Sequence, residues 1–410
     1  MLGKTVCRAC DSTNMYCFLP MGDHPAANAF VRPENLDKPD VLFPLESHAC
    51  LDCGLIQIPD PLPADFYVDY VYMPSATTTM PAHFAALAHQ FREKLVTAPG
   101  QLVVDIGSND GLLLAACLGE GMRVLGVDPS ANISQFARDR GVEVFNEYFT
   151  AESAVRIRDQ YGPARVIVCT NTFNHIDNLD DFMAGVATLL DPEGSFVLEL
   201  PQALTCIELN EFDTVYHEHL STFTAASLVA LGRKFGFKLV ELEELPIHGG
   251  SMRCTLSRVG EPSAAVTAYL EREKAAGLFT KEAYDRHVER VHAIRSELMS
   301  LLERLKGEGR RLAGYSAPAK GNTLLNYFRI GPDTLEWIAD RNELKQGRYT
   351  PGMRIPVVSP DRIAADRPDF LLILAWNFRD EIVQQQSEFL AKGGKFIVPI
   401  PRVEIIGNEG

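Results

Sequence analysis

Hydrophobic and polar positions change their period twice along the chain. Up to residue 65 the apolar runs are short, interrupted by Pro, Asp and aromatic residues, and show no helical period. Within that stretch residues 43–58 read as a strand, a knuckle at Gly54 and a second strand. Residues 66–81 are aromatic and hydroxyl-rich without a clear period, and Phe84, Leu87, Phe91 and Leu95 then mark an amphipathic helix. From Gln101 onward, short apolar runs alternate with helical stretches: 102–107, 124–128, 142–146, 166–170, 195–200, 238–245 and 252–259. Continuous apolar strands between helices predict a parallel, doubly wound α/β sheet. The last two runs are joined by too few residues for a crossover helix and should form an antiparallel hairpin. Residues 262–307 read as two charged helices, after which α/β alternation restarts as a second, smaller Rossmann-like unit. The implied division is 1–65, 66–260 and 261–410.

Composition narrows the function classes. The 410 residues are 46% hydrophobic and 23% charged, ordinary for a folded globular chain. The formal net charge is −15, with no run of Lys or Arg to make a basic face. Nucleic acid and anionic membrane surfaces are therefore poor partners. No apolar stretch is long enough for a membrane span. The first residues lack a signal-peptide layout, so a cytoplasmic protein is expected.

Nine cysteines are present, and four of them form two Cys-x-x-Cys pairs: Cys7 with Cys10, and Cys50 with Cys53. Two pairs on tight turns can surround one zinc with four thiolates, leaving no open position, so the predicted zinc is structural. His24 and His48 are alternative ligands, more simply read as turn or surface histidines. A second signal follows the first strand of the α/β region. Asp105 ends that strand, and Gly107, Ser108, Asn109 and Gly111 turn the chain into a helix. Glycines there let a cofactor approach the backbone, and a helix N-terminus favours a carboxylate. The Gly-x-x-x-Gly turn suits S-adenosylmethionine better than a dinucleotide. Asp128, ending the next strand, can take both ribose hydroxyls. Phe149 and Asn171 fall after the third and fourth strands, where adenine and methionine parts would lie; core packing explains Phe149 as readily.

Tyr216, His217, Glu218 and His219 form the third signal, just past the strand at 195–200. A row of polar and titratable side chains is expensive to bury without a function. His175, beyond the fourth strand, should face the same cleft. A histidine can remove a carbon-bound proton near neutral pH, and Tyr or a second His can donate hydrogen bonds to the enolate formed. His219 is the expected base, with Tyr216 and His175 on the enolate oxygen and Glu218 orienting a histidine; His175 as base stays open, and His217 reads as packing. Lys320 and Asn322, where the second α/β unit turns into its first helix, could meet a pyrophosphate.

The order of these motifs resembles the nucleotide-sugar C-methyltransferases, the 3-C-methyltransferases of 4-keto deoxysugars that carry an N-terminal zinc-binding domain. The resemblance spans nearly the whole chain: the paired cysteines, 23–30, 70–72, 105–111, 216–224, 248–253, 316–322, 349–356 and Trp376-Asn377. It implies an α/β fold with an N-terminal zinc module, a central Rossmann-like class I S-adenosylmethionine domain, and a C-terminal Rossmann-like domain holding the sugar nucleotide. The family's Tyr-x-Glu-His motif falls on Tyr216, Glu218 and His219, and its further cleft histidine on His175. Tyr70, Tyr72, Ser75 and His248 become substrate ligands by the same resemblance. The implied substrate is a nucleoside-diphosphate-linked 4-keto-6-deoxyhexose, methylated at C3 with inversion. Methylation at C5, oxygen or nitrogen, and a non-catalytic adaptor role, stay open at this point, as does the oligomeric state, a monomer included.

Overall fold

The computed structural model describes residues 5–63, 80–247 and 249–407; the expected ligands Tyr70, Tyr72, Ser75 and His248 lie outside them. Three sheets organise the described residues. The first begins with β1 (Met15–Pro25), β2 (Leu42–Cys50) and β3 (Ile56–Gln57), all antiparallel. The hydrophobic pattern missed β1 for a physical reason. Register shifts between Cys17 and Leu19 and between Pro20 and Gly22 break its alternation, so inward residues do not recur every second position.

The middle of the chain runs α1 (Met80–Lys94), β4 (Leu102–Ile106), α2 (Leu112–Gly119), β5 (Arg123–Val127), α3 (Ala131–Asp139), β6 (Val144–Phe145), α4 (Ala151–Tyr161) and β7 (Ala164–Thr170). It continues through α5 (Leu179–Leu189), β8 (Leu190–Pro201), α6 (Ala203–Glu208), β9 (Ser221–Thr222), α7 (Ala225–Lys234), β10 (Lys238–Leu245) and β11 (Ser251–Ser257). Seven of these strands pair in the order β10-β11-β8-β7-β4-β5-β6. β11 alone runs antiparallel to its neighbours, and β10 and β11 form the expected hairpin. Every residue of β4 is buried, as expected of a strand with helices on both faces. The strand order reverses between β4 and β7. In such sheets the crevice at the carboxyl ends of those two strands is the ligand site.

β9 leaves this unit to become the fourth strand of the N-terminal sheet, pairing antiparallel with β3. Two helices follow, α8 (Ala264–Ala275) and α9 (Lys281–Gly307). α9 covers the N-terminal sheet, with the rings of Phe18 and Tyr284 4.8 Å apart. The last unit contains β12 (Leu312–Tyr315), α10 (Ala319–Phe328), β13 (Ile338–Ala339), β14 (Val357–Val358), α11 (Asp361–Asp366), β15 (Phe370–Ile373), α12 (Arg379–Gln385), α13 (Ser387–Ala391), β16 (Lys395–Val398) and β17 (Glu404–Ile406). Its order, β14-β13-β12-β15-β16-β17, reverses between β12 and β15. Only β17 is antiparallel. Among the described residues no helix is long and apolar enough to cross a membrane.

Phe173 knits the centre together. It is fully buried, stacked on Phe223 at 5.0 Å and edge-on to Phe182 and Phe196. Phe173→Ala should cost about 3–5 kcal/mol of stability, the range for an aromatic removed from a packed core. Denaturant unfolding followed by fluorescence measures this, and a loss below about 1 kcal/mol would mean the site refills by collapse.

Candidate functional site

The first and third turns of the N-terminal sheet converge. Cys7 Sγ lies 3.5 Å from Cys53 Sγ and Cys10 Sγ 3.6 Å from Cys50 Sγ. All four sulfurs fall within 4.8 Å of one another, and none forms a disulfide. Four bonds of about 2.3 Å to a tetrahedral zinc put the sulfurs about 3.8 Å apart, so the cluster fits that ion. Neither histidine joins it. His24 bonds the Met21 carbonyl at 3.1 Å, and His48 bonds Glu46 at 3.0 Å in a separate cluster with Cys17.

At the carboxyl end of β4, Gly107 and Asn109 adopt positive φ (78° and 50°), and Gly111 (φ 72°) caps α2. A Cβ on Gly107 would run into Thr172, and one on Gly111 would sit 2.7 Å from Ala137. The turn therefore excludes side chains on both flanks. The Asp128 carboxylate ties this turn to the next strand end, accepting from the Asn109 amide at 2.9 Å and the Ser130 amide at 2.8 Å. Asp105 and Ser108 are buried nearby, and Asp105 Oδ1 and Ser108 Oγ have no partner. Burial, with the charges of Asp128 and Glu199 adding, pushes the Asp105 carboxyl up to about 8. Unpaired buried acceptors beside a glycine turn are what a polar cofactor would satisfy. Asn171 turns the chain after β7 at φ 52°. Phe149 is half-buried with its ring 5.1 Å from Phe182, so core packing accounts for at least one of its edges.

The titratable cluster forms at the same crevice. His219 Nδ1 is 3.0 Å from the Thr214 carbonyl and Nε2 is 2.7 Å from the Tyr216 hydroxyl. A carbonyl only accepts, so in the neutral ring Nδ1 carries the hydrogen and Nε2 is the basic nitrogen, receiving the phenolic hydrogen. The His175 ring meets the His219 ring edge-on, with centroids 5.1 Å apart. Burial holds the His175 imidazole down to about 4, so it is neutral at neutral pH. His217 is buried and donates to the carbonyls of Phe43 and Pro44 at 3.3 and 3.1 Å, a packing role as expected.

One expectation needs correcting. The Glu218 carboxylate orients no histidine: it accepts from Asn28 Nδ2 at 2.8 and 3.0 Å, while its backbone adjoins the His175 ring. Thr214 orients His219 instead. Lys320, in the first turn of α10, lies 4.0 Å over the Trp376 ring, with Glu211 and Asp213 as its neighbouring charges. Asn322 is buried and spends its amide hydrogen on the Ala27 carbonyl at 2.7 Å, joining the last unit to the first.

Sequence reasoning missed Glu199, fully buried at the end of β8 and bonded to Arg253 (2.6 Å) and His83 (2.8 Å). An acid inside an otherwise apolar strand was the available signal. It also missed Asp213, whose carboxylate receives the Trp376 indole at 2.8 Å.

Residues 79–242 match the family described as "Methyltransferase domain", residues 246–401 that described as "C-methyltransferase C-terminal domain", and residues 7–66 that described as "Putative zinc binding domain". The C-methyltransferase NovU of Streptomyces niveus is 34% identical over 407 residues, covering 98% of this chain and 97% of that protein. A ubiquinone biosynthesis O-methyltransferase of Burkholderia pseudomallei (strain 1710b) is 27% identical over 173 residues, 39% of this chain and 74% of that one. Among solved structures, magnesium protoporphyrin IX methyltransferase of Synechocystis PCC 6803 with bound SAH is 16% identical, covers 48% of this chain and 91% of its own, and has a TM-score of 0.35. The central unit is an S-adenosylmethionine-dependent methyltransferase domain. The chain as a whole belongs to the C-methyltransferase family with an N-terminal zinc module, and it is an S-adenosylmethionine-dependent C-methyltransferase.

The purified protein should carry close to one zinc per chain, and chelation should lower its melting temperature, because a structural zinc contributes folding energy directly. Metal analysis of the wild type and of Cys50→Ala/Cys53→Ala checks this. Wild-type protein that is folded and essentially free of zinc would contradict it.

Proposed function

We propose that the enzyme methylates C3 of a nucleoside-diphosphate-linked 4-keto-6-deoxyhexose through an enolate. The observation that carries this is the Tyr216–His219 pair, a tautomer-fixed imidazole whose basic nitrogen faces a phenol at 2.7 Å. Such a pair supplies a proton acceptor and a hydrogen-bond donor side by side, which carbon acid chemistry needs. His219 Nε2 takes the C3 proton, and the C–H electrons move into a C3–C4 double bond as the C4 carbonyl becomes an enolate. The Tyr216 hydroxyl turns from Nε2 to the C4 oxygen as the sugar enters, and the neutral His175 ring adds a second donor by turning its single N–H away from the backbone of Glu218 or Asn171. When bound, S-adenosylmethionine supplies an electrophilic methyl whose sulfonium leaves as a thioether. C3 attacks from the face opposite the departing proton, so configuration inverts.

In this reading Asp128 holds the ribose hydroxyls of the cofactor, and the 105–111 turn, with Asn171, holds its methionine part. Phe149 borders the adenine. Tyr70, Tyr72, Ser75 and His248 belong to the sugar nucleotide by resemblance. The three functions divide as zinc module (1–65), methyl transfer (66–260) and sugar-nucleotide binding (261–410). Glu218 keeps the N-terminal module closed on the cleft through Asn28.

Two predictions follow from these roles. Asp128→Ala should weaken cofactor binding by about 1.5–3 kcal/mol, as for hydrogen bonds to a charged group. Calorimetry with S-adenosylhomocysteine measures it, and unchanged affinity would remove Asp128 from the site. In D₂O, with S-adenosylhomocysteine in place of the methyl donor, wild type should exchange the C3 hydrogen of its substrate for deuterium. His219→Asn should abolish the exchange and slow methylation by roughly 10²–10⁴-fold, the usual contribution of a general base, while cofactor affinity persists. Near-normal turnover by His219→Asn would contradict the assignment.

A further inference from the structure

We infer that Arg8 is a positioning residue through which the zinc knuckle holds both cleft histidines in register. The inference rests on the proposed roles of His219 and His175. Arg8 lies between the metal-binding Cys7 and Cys10, and its side chain is only 1% exposed. Its guanidinium bridges three segments that are distant in sequence. Nε donates to Asp177 Oδ1 at 3.0 Å, and Nη2 is 2.9 Å from the same oxygen. Nη1 donates to the carbonyls of Ile58 (2.6 Å) and Leu220 (3.4 Å), and Nη2 to that of Pro59 (3.4 Å).

Those partners are not incidental. Leu220 directly follows His219, and Asp177 comes two residues after His175. One buried cation therefore touches the chain beside each histidine, and the two rings meet at 5.1 Å. The other end of the lever is equally fixed. The Arg8 amide donates to Gln57 Oε1 at 2.9 Å, and Gln57 Nε2 donates to the Val6 carbonyl at 3.0 Å, clamping the knuckle to β3. β3 in turn pairs with β9, which begins two residues after His219. A planar fork with five donors suits this bridging, and a lysine ammonium could reproduce only part of it.

The lever matters because the proposed chemistry depends on sub-ångström placement of a base and its partner donors. Displacement of about 1 Å by a change outside the reacting groups can cost roughly 10²-fold in rate.

The test compares Arg8→Gln, Arg8→Lys, Asp177→Asn and His219→Asn in the full-length, zinc-loaded protein. Zinc content, S-adenosylhomocysteine affinity, kcat and KM are measured. The substrate is whichever of the dTDP-, GDP- or CDP-4-keto-6-deoxyhexoses wild type turns over fastest. Arg8→Gln should keep its zinc and its cofactor affinity within about twofold. Its kcat should fall roughly 10–100-fold with little change in KM. Arg8→Lys should recover part of the rate. Should Arg8→Gln not fold, Asp177→Asn, which keeps the shape and removes the charge from a partly exposed partner, should show the same kcat-selective effect with a smaller loss. Unchanged kcat in folded, zinc-loaded variants would overturn the inference, as would a loss that falls on KM or cofactor affinity instead of kcat. If His219→Asn turns over normally, the underlying reading fails; if His219→Asn is inactive while the Arg8 and Asp177 variants behave as wild type, only the positioning role fails.

Discussion

The pairing of β3 with β9 is the contact on which the site's geometry depends. Each strand is two residues long, too short to persist without neighbours. β3 is held by β2 and the zinc knuckle, and β9 is held by β3. Around this pair the segment from His217 to Thr224 is fastened to the N-terminal module at one point after another. His217 donates to the Phe43 and Pro44 carbonyls, Glu218 accepts from Asn28, and the Leu220 carbonyl accepts from the Ile58 amide at 3.0 Å. The Thr224 hydroxyl donates to the Cys53 carbonyl at 2.6 Å and also caps α7. The cluster around His219 is thus shaped by the metal-binding module as much as by the methyltransferase sheet that carries it.

Both parallel sheets aim their crevices at this segment. The reversal between β4 and β7 opens beside the glycine turn, Asn171 and His175. The reversal between β12 and β15 opens beside Lys320 and Trp376, which contact Asp213 just ahead of Thr214 and Tyr216. Burial pushes Glu211 up to about 8 and Asp213 up to about 6 and lowers Lys320. Burial thus disfavours the charged form of each of the three groups at this junction.

Much of this was legible in the sequence. Apolar runs located the seven strands of the central sheet, because strands covered on both faces leave a continuous signature. The Cys-x-x-Cys pairs located the four-sulfur cluster, and Gly107, Gly111 and Asp128 located the tight turn after β4, since each residue type is demanded by local geometry. The rest was hidden by contacts that have no local period. β1 was obscured by its bulges, and β9 is a two-residue strand recruited by a distant partner. The role of the Glu218 side chain was misread because a charged side chain next to a motif says nothing of what faces it; Asn28 comes from elsewhere in the chain. Arg8 was invisible because a single arginine between two cysteines carries no signal until its carbonyl partners are known.

The most direct test is the position of the new carbon. Wild-type enzyme is incubated with ¹³C-methyl S-adenosylmethionine and a 4-keto-6-deoxyhexose nucleotide, and the product is examined by long-range carbon–proton NMR correlation. The expected product has the labelled methyl bonded to C3, adjacent to the C4 ketone, with inverted configuration. A labelled methyl on oxygen or nitrogen would contradict the enolate mechanism and the roles given to His219, Tyr216 and His175, and one at C5 would contradict C3 as the carbon that loses its proton to His219.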